Sequence, residues 1–126
     1  MKILHVDDSS LALKLTKNHL TKAFPEVEQV TTLKPNEFLE NYNDNTLLFH
    51  DLVLVDLIMP DISGENVIKL IRERYPKSFI ICLSSNVQGL VQERVTSEGA
   101  DLFIEKPPTY EKLLSVKEVY DARNGN

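Results

Sequence analysis

The chain alternates five times between a short apolar run and a longer segment with helical features. The apolar runs, in order, are "KILHV", "VEQVTTL", "DLVLVD", "SFIICLSS" and "ADLFIEKPP". The segments that follow them are "SSLALKLTKNHLTKAF", "PNEFLENY", "GENVIKLIRERY", "VQGLVQERVTSEG" and "TYEKLLSVKEVYDA". This alternation predicts parallel strands joined by right-handed helical crossovers, with helices on both faces of the sheet. The 126 residues suffice for one such domain, which we expect to span 1–126.

Five strand–helix units favour an α/β fold: a flavodoxin-like, doubly wound five-stranded parallel sheet of order 2-1-3-4-5 with five helices. We expect Ser9 or Ser10 to cap the first helix, Pro35 to lie in the first turn of the second, and Gly99 to follow the fourth. In this order the third strand is central, the first and fourth flank it at about 4.8 Å, and the fifth is about 10 Å away. Ligands of such sheets bind beyond the carboxyl ends of the strands.

Polar side chains occupy those ends. The first predicted strand ends in Asp7 and Asp8, the third in Asp56, the fourth in Ser84 and the fifth in Lys106. An ionised carboxylate at the tip of an apolar strand is costly unless it is paired or bound to a cation. The predicted order brings all of these groups to one point, and only a side chain as long as lysine reaches Asp56 from the fifth strand.

Three carboxylates and one ammonium leave surplus negative charge, which a divalent cation removes. The ligands are all oxygens, so the pattern favours Mg²⁺, with Mn²⁺ as an alternative. A metal, a lysine and a hydroxyl around a carboxylate suit phosphoryl transfer, with Asp56 as the nucleophile.

Each of these residues also has a simpler interpretation. Asp7, Asp8 and Asp56 could each be a helix N-cap at a strand–helix junction, although the three together with Lys106 argue against this. His5, His19 and Cys82 are interpreted as packed residues rather than functional ones. Phe103 fits a role in the core and a role as a switch residue equally well.

Four motifs, "VDDS", "VLVDLIMPDISG", "CLSS" and "GADLFIEKPP", occur in this order across the chain. With them the sequence resembles the receiver domain of two-component response regulators over essentially its whole length. The resemblance implies that Asp7 and Asp8 bind Mg²⁺ together with Asp56 and the backbone carbonyl of Ile58. It also implies that Asp56 receives a phosphoryl group from a sensor histidine kinase or a phosphotransfer protein.

The same resemblance assigns roles to the remaining motif residues. Ser84 would be the switch hydroxyl, Phe103 the aromatic switch residue and Lys106 the lysine that pairs with the phosphate. Ile58 and Asn86 follow Asp56 and Ser84 by two positions, so we expect them to flank the phosphoryl group and tune its hydrolysis. The switching face would comprise the fourth helix, the fifth strand and the fifth helix, including Val116 and Val119.

The chain is thus predicted to be a signalling phosphoacceptor that promotes its own phosphotransfer and dephosphorylation rather than an enzyme. Three other functions are alternatives: a phosphatase with an aspartyl-phosphate intermediate, a flavin or nucleotide binder, and a receiver-like docking protein. The adjacent acids of "DDSS" argue against the first two because a D-x-D pattern and a glycine-rich or Ser/Thr-rich phosphate loop are missing.

The net charge of −5 gives no reason to expect nucleic-acid binding by this domain. No apolar run approaches the roughly 20 residues that span a bilayer, and the N-terminus is not a signal peptide. The single cysteine fits a reducing compartment, so we expect a cytoplasmic protein. The sequence leaves open whether the domain stands alone or belongs to a longer protein, and which protein or domain is its output.

Overall fold

A parallel sheet of five strands organises the chain, which we describe from a computed structural model over residues 1–85 and 94–124. The strands are β1 (Lys2–Val6), β2 (Gln29–Leu33), β3 (Leu52–Asp56), β4 (Phe79–Ser84) and β5 (Leu102–Glu105). Their order is β2-β1-β3-β4-β5, and every neighbouring pair is parallel. The predicted flavodoxin-like order 2-1-3-4-5 is confirmed.

Helices follow the strands along the chain. They are α1 (Ser10–Ala23), α2 (Pro35–Asn43), α3 (Gly64–Arg74), α4 (the helical residues 94–97) and α5 (Tyr110–Arg123). The sequence predicted a longer fourth helix, Val87 to Ser97, most of which lies outside the described residues.

Local sequence signals explain where the helices begin and end. Ser9 caps α1, because its Oγ accepts a hydrogen bond of 3.1 Å from the backbone N–H of Ala12. Pro35 opens α2, where a missing backbone N–H costs nothing. Gly99 follows α4 with φ of 119°, a backbone conformation that glycine adopts without a steric penalty. These three predictions hold.

The core has two layers, one on each face of the sheet. One cluster includes Val6, Val55 and Cys82 and extends to α2, α3 and α4. The other includes Ile3, Leu54 and Leu83 and packs against α1 and α5. Successive strand residues point to opposite faces, so this division tells which side chains share a face near the strand ends. In the part of the chain that the structure describes, no helix is long and apolar enough to span a membrane.

Arg72 links several backbone segments at the end of the sheet opposite the polar strand tips. Its guanidinium donates hydrogen bonds to the backbone carbonyls of Gly99, Pro76 and Ser78, and it pairs with the Asp101 carboxylate at 2.8 Å. One side chain thereby joins the end of α3 to the turn between α4 and β5.

Candidate functional site

The strand register brings the polar strand ends together. Val6 pairs with Val55 in the neighbouring strand, so Asp7 lies beside Asp56 at the tip of β3. On the other side, Asp56 pairs with Leu83, and Ser84 is the next residue. Ser84 in turn pairs with Glu105, one residue before Lys106. The backbone N–H of Lys106 donates to the Ser84 carbonyl at 2.8 Å, which extends this pairing to the lysine.

The three carboxylates form one cluster. Asp7 is 1% exposed and Asp56 is 4% exposed, whereas Asp8 is open to solvent. One carboxylate oxygen from each residue can be chosen such that the three lie within 4.8 Å of one another. An all-oxygen group of this size, with surplus negative charge and one open side, suits a hard divalent cation such as Mg²⁺.

The helix-cap interpretation of the three aspartates is not supported. The caps of α1 and α3 are Ser9 and Ser63, which accept hydrogen bonds from backbone N–H groups in the first turn of each helix. Asp7 Oδ1 instead accepts from the N–H of Ser9 at 2.9 Å, outside the helix. The carboxylates at the strand ends therefore need another explanation than helix capping.

Lys106 reaches the cluster from β5, across the width of β4. Its Nζ lies 3.3 Å from Asp56 Oδ1 and 3.7 Å from Asp7 Oδ2. The ammonium is partly exposed while both carboxylates are buried, so it offsets only part of their charge.

Burial and mutual repulsion set the protonation of the two buried carboxyls. Burial, together with the neighbouring Asp7 charge, raises the pKa of Asp56 to about 6, although Lys106 opposes the shift. Burial also acts to raise the pKa of Asp7, but His5, the Ser9 amide and Lys106 outweigh it and hold that pKa below its ordinary value. Without a cation, Asp56 is therefore the carboxyl of this pair that takes up a proton first as the pH falls, at about pH 6.

This shift predicts how the metal-free protein responds to pH. The folded pKa of Asp56, about 6, exceeds its ordinary value of 3.8, so the folded state binds the proton more tightly and loses this advantage as pH rises through 6. In a chelating buffer, we expect the free energy of unfolding to fall by about 1 kcal/mol between pH 5 and 7 relative to Asp56→Asn. Urea denaturation of both proteins measures this difference.

The comparison with Asp56→Asn removes the titrations that both proteins share. Asp7, whose pKa lies below 3.8, titrates outside this pH interval, and the histidines are present in both proteins. Parallel stability curves for the two proteins would show that Asp56 is not protonated there.

Ser84 and Phe103 share one face of the sheet. Cys82 pairs with Phe103, and Ser84 follows Cys82 by two residues, so all three point to the α3 and α4 side. Ser84 is buried, and Phe103 is partly buried against the cluster that includes Val95 of α4. The structure thus places the two predicted switch residues on the side of the sheet that α4 covers.

Of the two residues predicted to tune hydrolysis of the phosphoryl group, only Ile58 lies within the described part of the chain. Ile58 is 72% exposed, and together with Ser84 and Arg94 it lines a cavity of about 280 Å³ beside the strand tips. Arg94 and Glu65 both line this cavity and form an ion pair at 2.6 Å. Asn86 lies outside the described residues.

One residue near the site was given only a packing role from the sequence. His5 is 1% exposed, and its Nε2 lies 3.7 Å from Asp7 Oδ2. The signal that could have indicated this contact is the two-residue spacing, because residues i and i+2 of a strand share a face.

Comparisons with known proteins agree with this geometry. A family model for the response regulator receiver domain matches residues 3–118. The chemotaxis protein CheY of Thermotoga maritima is 34% identical over 84% of this chain and 85% of its own length. Hybrid signal transduction histidine kinase L of Dictyostelium discoideum is 30% identical over 99% of this chain, which spans only 7% of that protein.

A solved structure shows the same fold. The CheY-like response regulator receiver domain protein of Methanospirillum hungatei matches 98% of this chain and 96% of its own chain. Its TM-score is 0.78, and its sequence identity is 28%.

Proposed function

This chain belongs to the response regulator receiver domain family, and from that membership we propose that it accepts a phosphoryl group on Asp56 and thereby controls an output partner or domain. The observation that carries the proposal is the position of Asp56. It is buried at the tip of the central strand, within 3.3 Å of Lys106 and beside the carboxylate of Asp7.

In the proposed reaction, a carboxylate oxygen of Asp56 attacks the phosphorus of a phosphohistidine. The new P–O bond forms as the P–N bond breaks, and the imidazole leaves with the electron pair and takes up a proton. Lys106 is placed to pair with the transferred phosphoryl oxygens, because its ammonium already lies beside the attacking carboxylate. The Ser84 hydroxyl is the group that we assign to a second phosphoryl oxygen.

The cation fits the same residues. Asp7, Asp8 and Asp56 would hold Mg²⁺, with the backbone carbonyl of Ile58 as the proposed further protein ligand. When bound, Mg²⁺ supplies positive charge that offsets the phosphoryl oxygens and the clustered carboxylates. The raised pKa of Asp56 supports this assignment, since burial and, after it, the neighbouring Asp7 charge disfavour the ionised carboxylate, and a bound cation would offset both.

The direct test is phosphorylation by a small donor. Incubation of the protein with acetyl phosphate and Mg²⁺ should add one phosphoryl group, observed by intact-mass spectrometry. A chelator should prevent the addition. A protein that gains no phosphoryl group under these conditions, or gains the same amount in the chelator, would contradict the proposal.

We propose a histidine kinase or phosphotransfer protein as the donor, and the likeness to a segment of a hybrid histidine kinase supports this. An apolar groove beside the site offers a place for the donor. The exposed side chains of Leu11 and Leu15 line it together with Lys106, Pro107 and Pro108. A donor seated there would hold its phosphohistidine close to Asp56.

A cytoplasmic location is part of this proposal because it fits the free thiol of Cys82.

The competing functions have less support among the described residues. A flavin or nucleotide binder needs phosphate-binding backbone or hydroxyl groups after β1, where the carboxylates of Asp7 and Asp8 lie instead. These carboxylates repel a phosphate unless a cation is bound. An aspartyl phosphatase would need its nucleophile on β1, whereas the carboxylate nearest Lys106 is Asp56 on β3.

The phosphoryl group should be long-lived because Ile58 offers no side-chain hydrogen bond to an attacking water. We expect Ile58→Asn to hydrolyse about tenfold faster, less than the roughly 100-fold or more that a positioned acid or base contributes. The measurement is the decay of the phosphorylated species after donor removal. Ile58→Val is the matched control and should decay like the unaltered protein. Equal decay in Ile58→Asn would refute this role.

Phosphorylation should act on the sheet face that holds Ser84 and Phe103. A dianion at Asp56 attracts the Ser84 hydroxyl, since a charge-assisted hydrogen bond is roughly twice as strong as a neutral one. Space near the end of β4 then becomes available to Phe103. The proposed output face extends across β5 to α5, where Val116 and Val119 line a groove of about 360 Å³ with Phe103.

This switch predicts where amide exchange changes. Adding beryllofluoride and Mg²⁺ should alter exchange most in residues 94–97 and in β5, and little in α1. Hydrogen-exchange mass spectrometry measures both regions in one experiment. Ser84→Ala should weaken the response. A change confined to α1, or spread evenly along the chain, would mean that the signal leaves by another route.

A further inference from the structure

A buried histidine lies directly beneath the carboxylate cluster. His5 is on the same face of the sheet as Ile3 and Leu54, in the layer that packs against α1 and α5. Within the part of the chain that the structure describes, neither nitrogen of its ring has a hydrogen-bond partner. An imidazole carries a donor and an acceptor, so burying both without partners costs stability. A purely apolar side chain would fill this position without that cost.

The Asp7 carboxylate has a matching unpaired atom. Its Oδ1 is held by the Ser9 N–H at 2.9 Å, while its Oδ2 has no hydrogen-bond partner among the described residues. The nearest donors to Oδ2 are His5 Nε2 and Lys106 Nζ, each at 3.7 Å. At this distance the imidazole contact is electrostatic rather than a formed hydrogen bond, and a small rotation of the carboxylate would close it.

We propose that His5 is a positioning residue for Asp7, whose Nε2–H faces Oδ2 and fixes the orientation of the carboxylate for cation binding. The inference rests on the proposed function, because Asp7 is assigned there as a Mg²⁺ ligand. Ser9 and His5 would then each hold one of the two carboxylate oxygens. Partners of this kind behind a metal ligand commonly change metal affinity by about 10- to 100-fold.

Two alternatives explain the buried His5 beside Asp7 less well. They are Lys106 as the residue that orients the Asp7 carboxylate, and direct metal binding by His5. Lys106 lies closer to Asp56 than to Asp7, at 3.3 Å, and its side chain is partly exposed. An imidazole is a poor ligand for Mg²⁺, which prefers oxygen. The ring therefore acts on the cation through the Asp7 carboxylate.

Calorimetric titration with MgCl₂ tests the role. We expect His5→Val to bind Mg²⁺ about tenfold more weakly than the unaltered protein. His5→Gln, which keeps a side-chain N–H donor, should recover part of the loss. Leu54→Val is the packing control: it disturbs the neighbouring strand position without touching Asp7, and its Mg²⁺ affinity should stay unchanged.

Equal Mg²⁺ affinity in His5→Val and the unaltered protein would overturn the inference and leave the proposed function standing. Failure of the unaltered protein to bind Mg²⁺ would overturn both. Equal weakening in Leu54→Val would show that only packing matters, and would also overturn the inference.

A measurement on the unaltered protein covers the case in which His5→Val does not fold. Long-range nitrogen–proton NMR spectra of the histidine rings report which ring nitrogen carries the proton. The inference requires a proton on Nε2 of His5. A ring protonated on Nδ1 alone would present a lone pair to Asp7 and would overturn it.

Discussion

Replacing Asp56 with asparagine should abolish phosphorylation by acetyl phosphate and Mg²⁺. The amide is a far weaker nucleophile than the carboxylate, and the loss should be roughly 1,000-fold or more in rate. No other described carboxylate lies as close to Lys106, so no neighbour can take over the reaction at a comparable rate. Intact-mass spectrometry over a time course measures the incorporated phosphoryl groups.

The matched control is Asp61→Asn, which makes the same chemical change at an exposed carboxylate five positions along the chain. This variant should be phosphorylated like the unaltered protein. Loss of phosphorylation in Asp56→Asn cannot be ascribed to unfolding if that variant is more stable at neutral pH, as the raised pKa of Asp56 predicts. Undiminished incorporation in Asp56→Asn would remove Asp56 as the acceptor.

Mg²⁺ should stabilise the folded protein, and Asp8→Ala should lose most of that effect. A ligand that binds only the folded state adds about 2.7 kcal/mol at a concentration of 100 times its Kd. Asp8 is the suitable position because it belongs to the carboxylate cluster yet is exposed, so its removal leaves the buried packing intact. Thermal unfolding with and without Mg²⁺ measures the gain.

Asp61→Ala serves as the control for a general effect of removing negative charge, and it should keep the full Mg²⁺ response. A monovalent salt at equal ionic strength separates site binding from screening. If Asp8→Ala is stabilised by Mg²⁺ as much as the unaltered protein, the cation does not bind at these carboxylates.

The sequence was sufficient to predict the fold because the apolar runs and helix signals repeat with little ambiguity. Once the order 2-1-3-4-5 is known, the strand ends bring Asp7, Asp56, Ser84 and Lys106 together without further information. The predicted strand order requires a long side chain to reach Asp56 from the fifth strand, and Lys106 does so with a contact of 3.3 Å. Backbone topology and side-chain length together account for this part of the site.

Side-chain environment could not be predicted in the same way. Asp7 and Asp8 are identical neighbours in the sequence, yet one is buried and the other exposed. Asp7 continues the pairing of β1 with β2 through its backbone N–H, whereas Asp8 lies in the bend before α1. The polar role of His5 was missed for a related reason. An imidazole in an apolar run is indistinguishable from a packed residue until the position of the carboxylate two residues later is known.

We propose that β3 presents Asp56 as the phosphoryl acceptor, and identification of the modified residue tests this assignment. Reduction of the phosphorylated protein with borohydride converts an aspartyl phosphate into homoserine, which peptide mass spectrometry locates in the chain. We predict homoserine at position 56 and at no other position. Homoserine at position 7 or 8, or a phosphoryl group found on a histidine or serine instead, would rule out Asp56 as the acceptor.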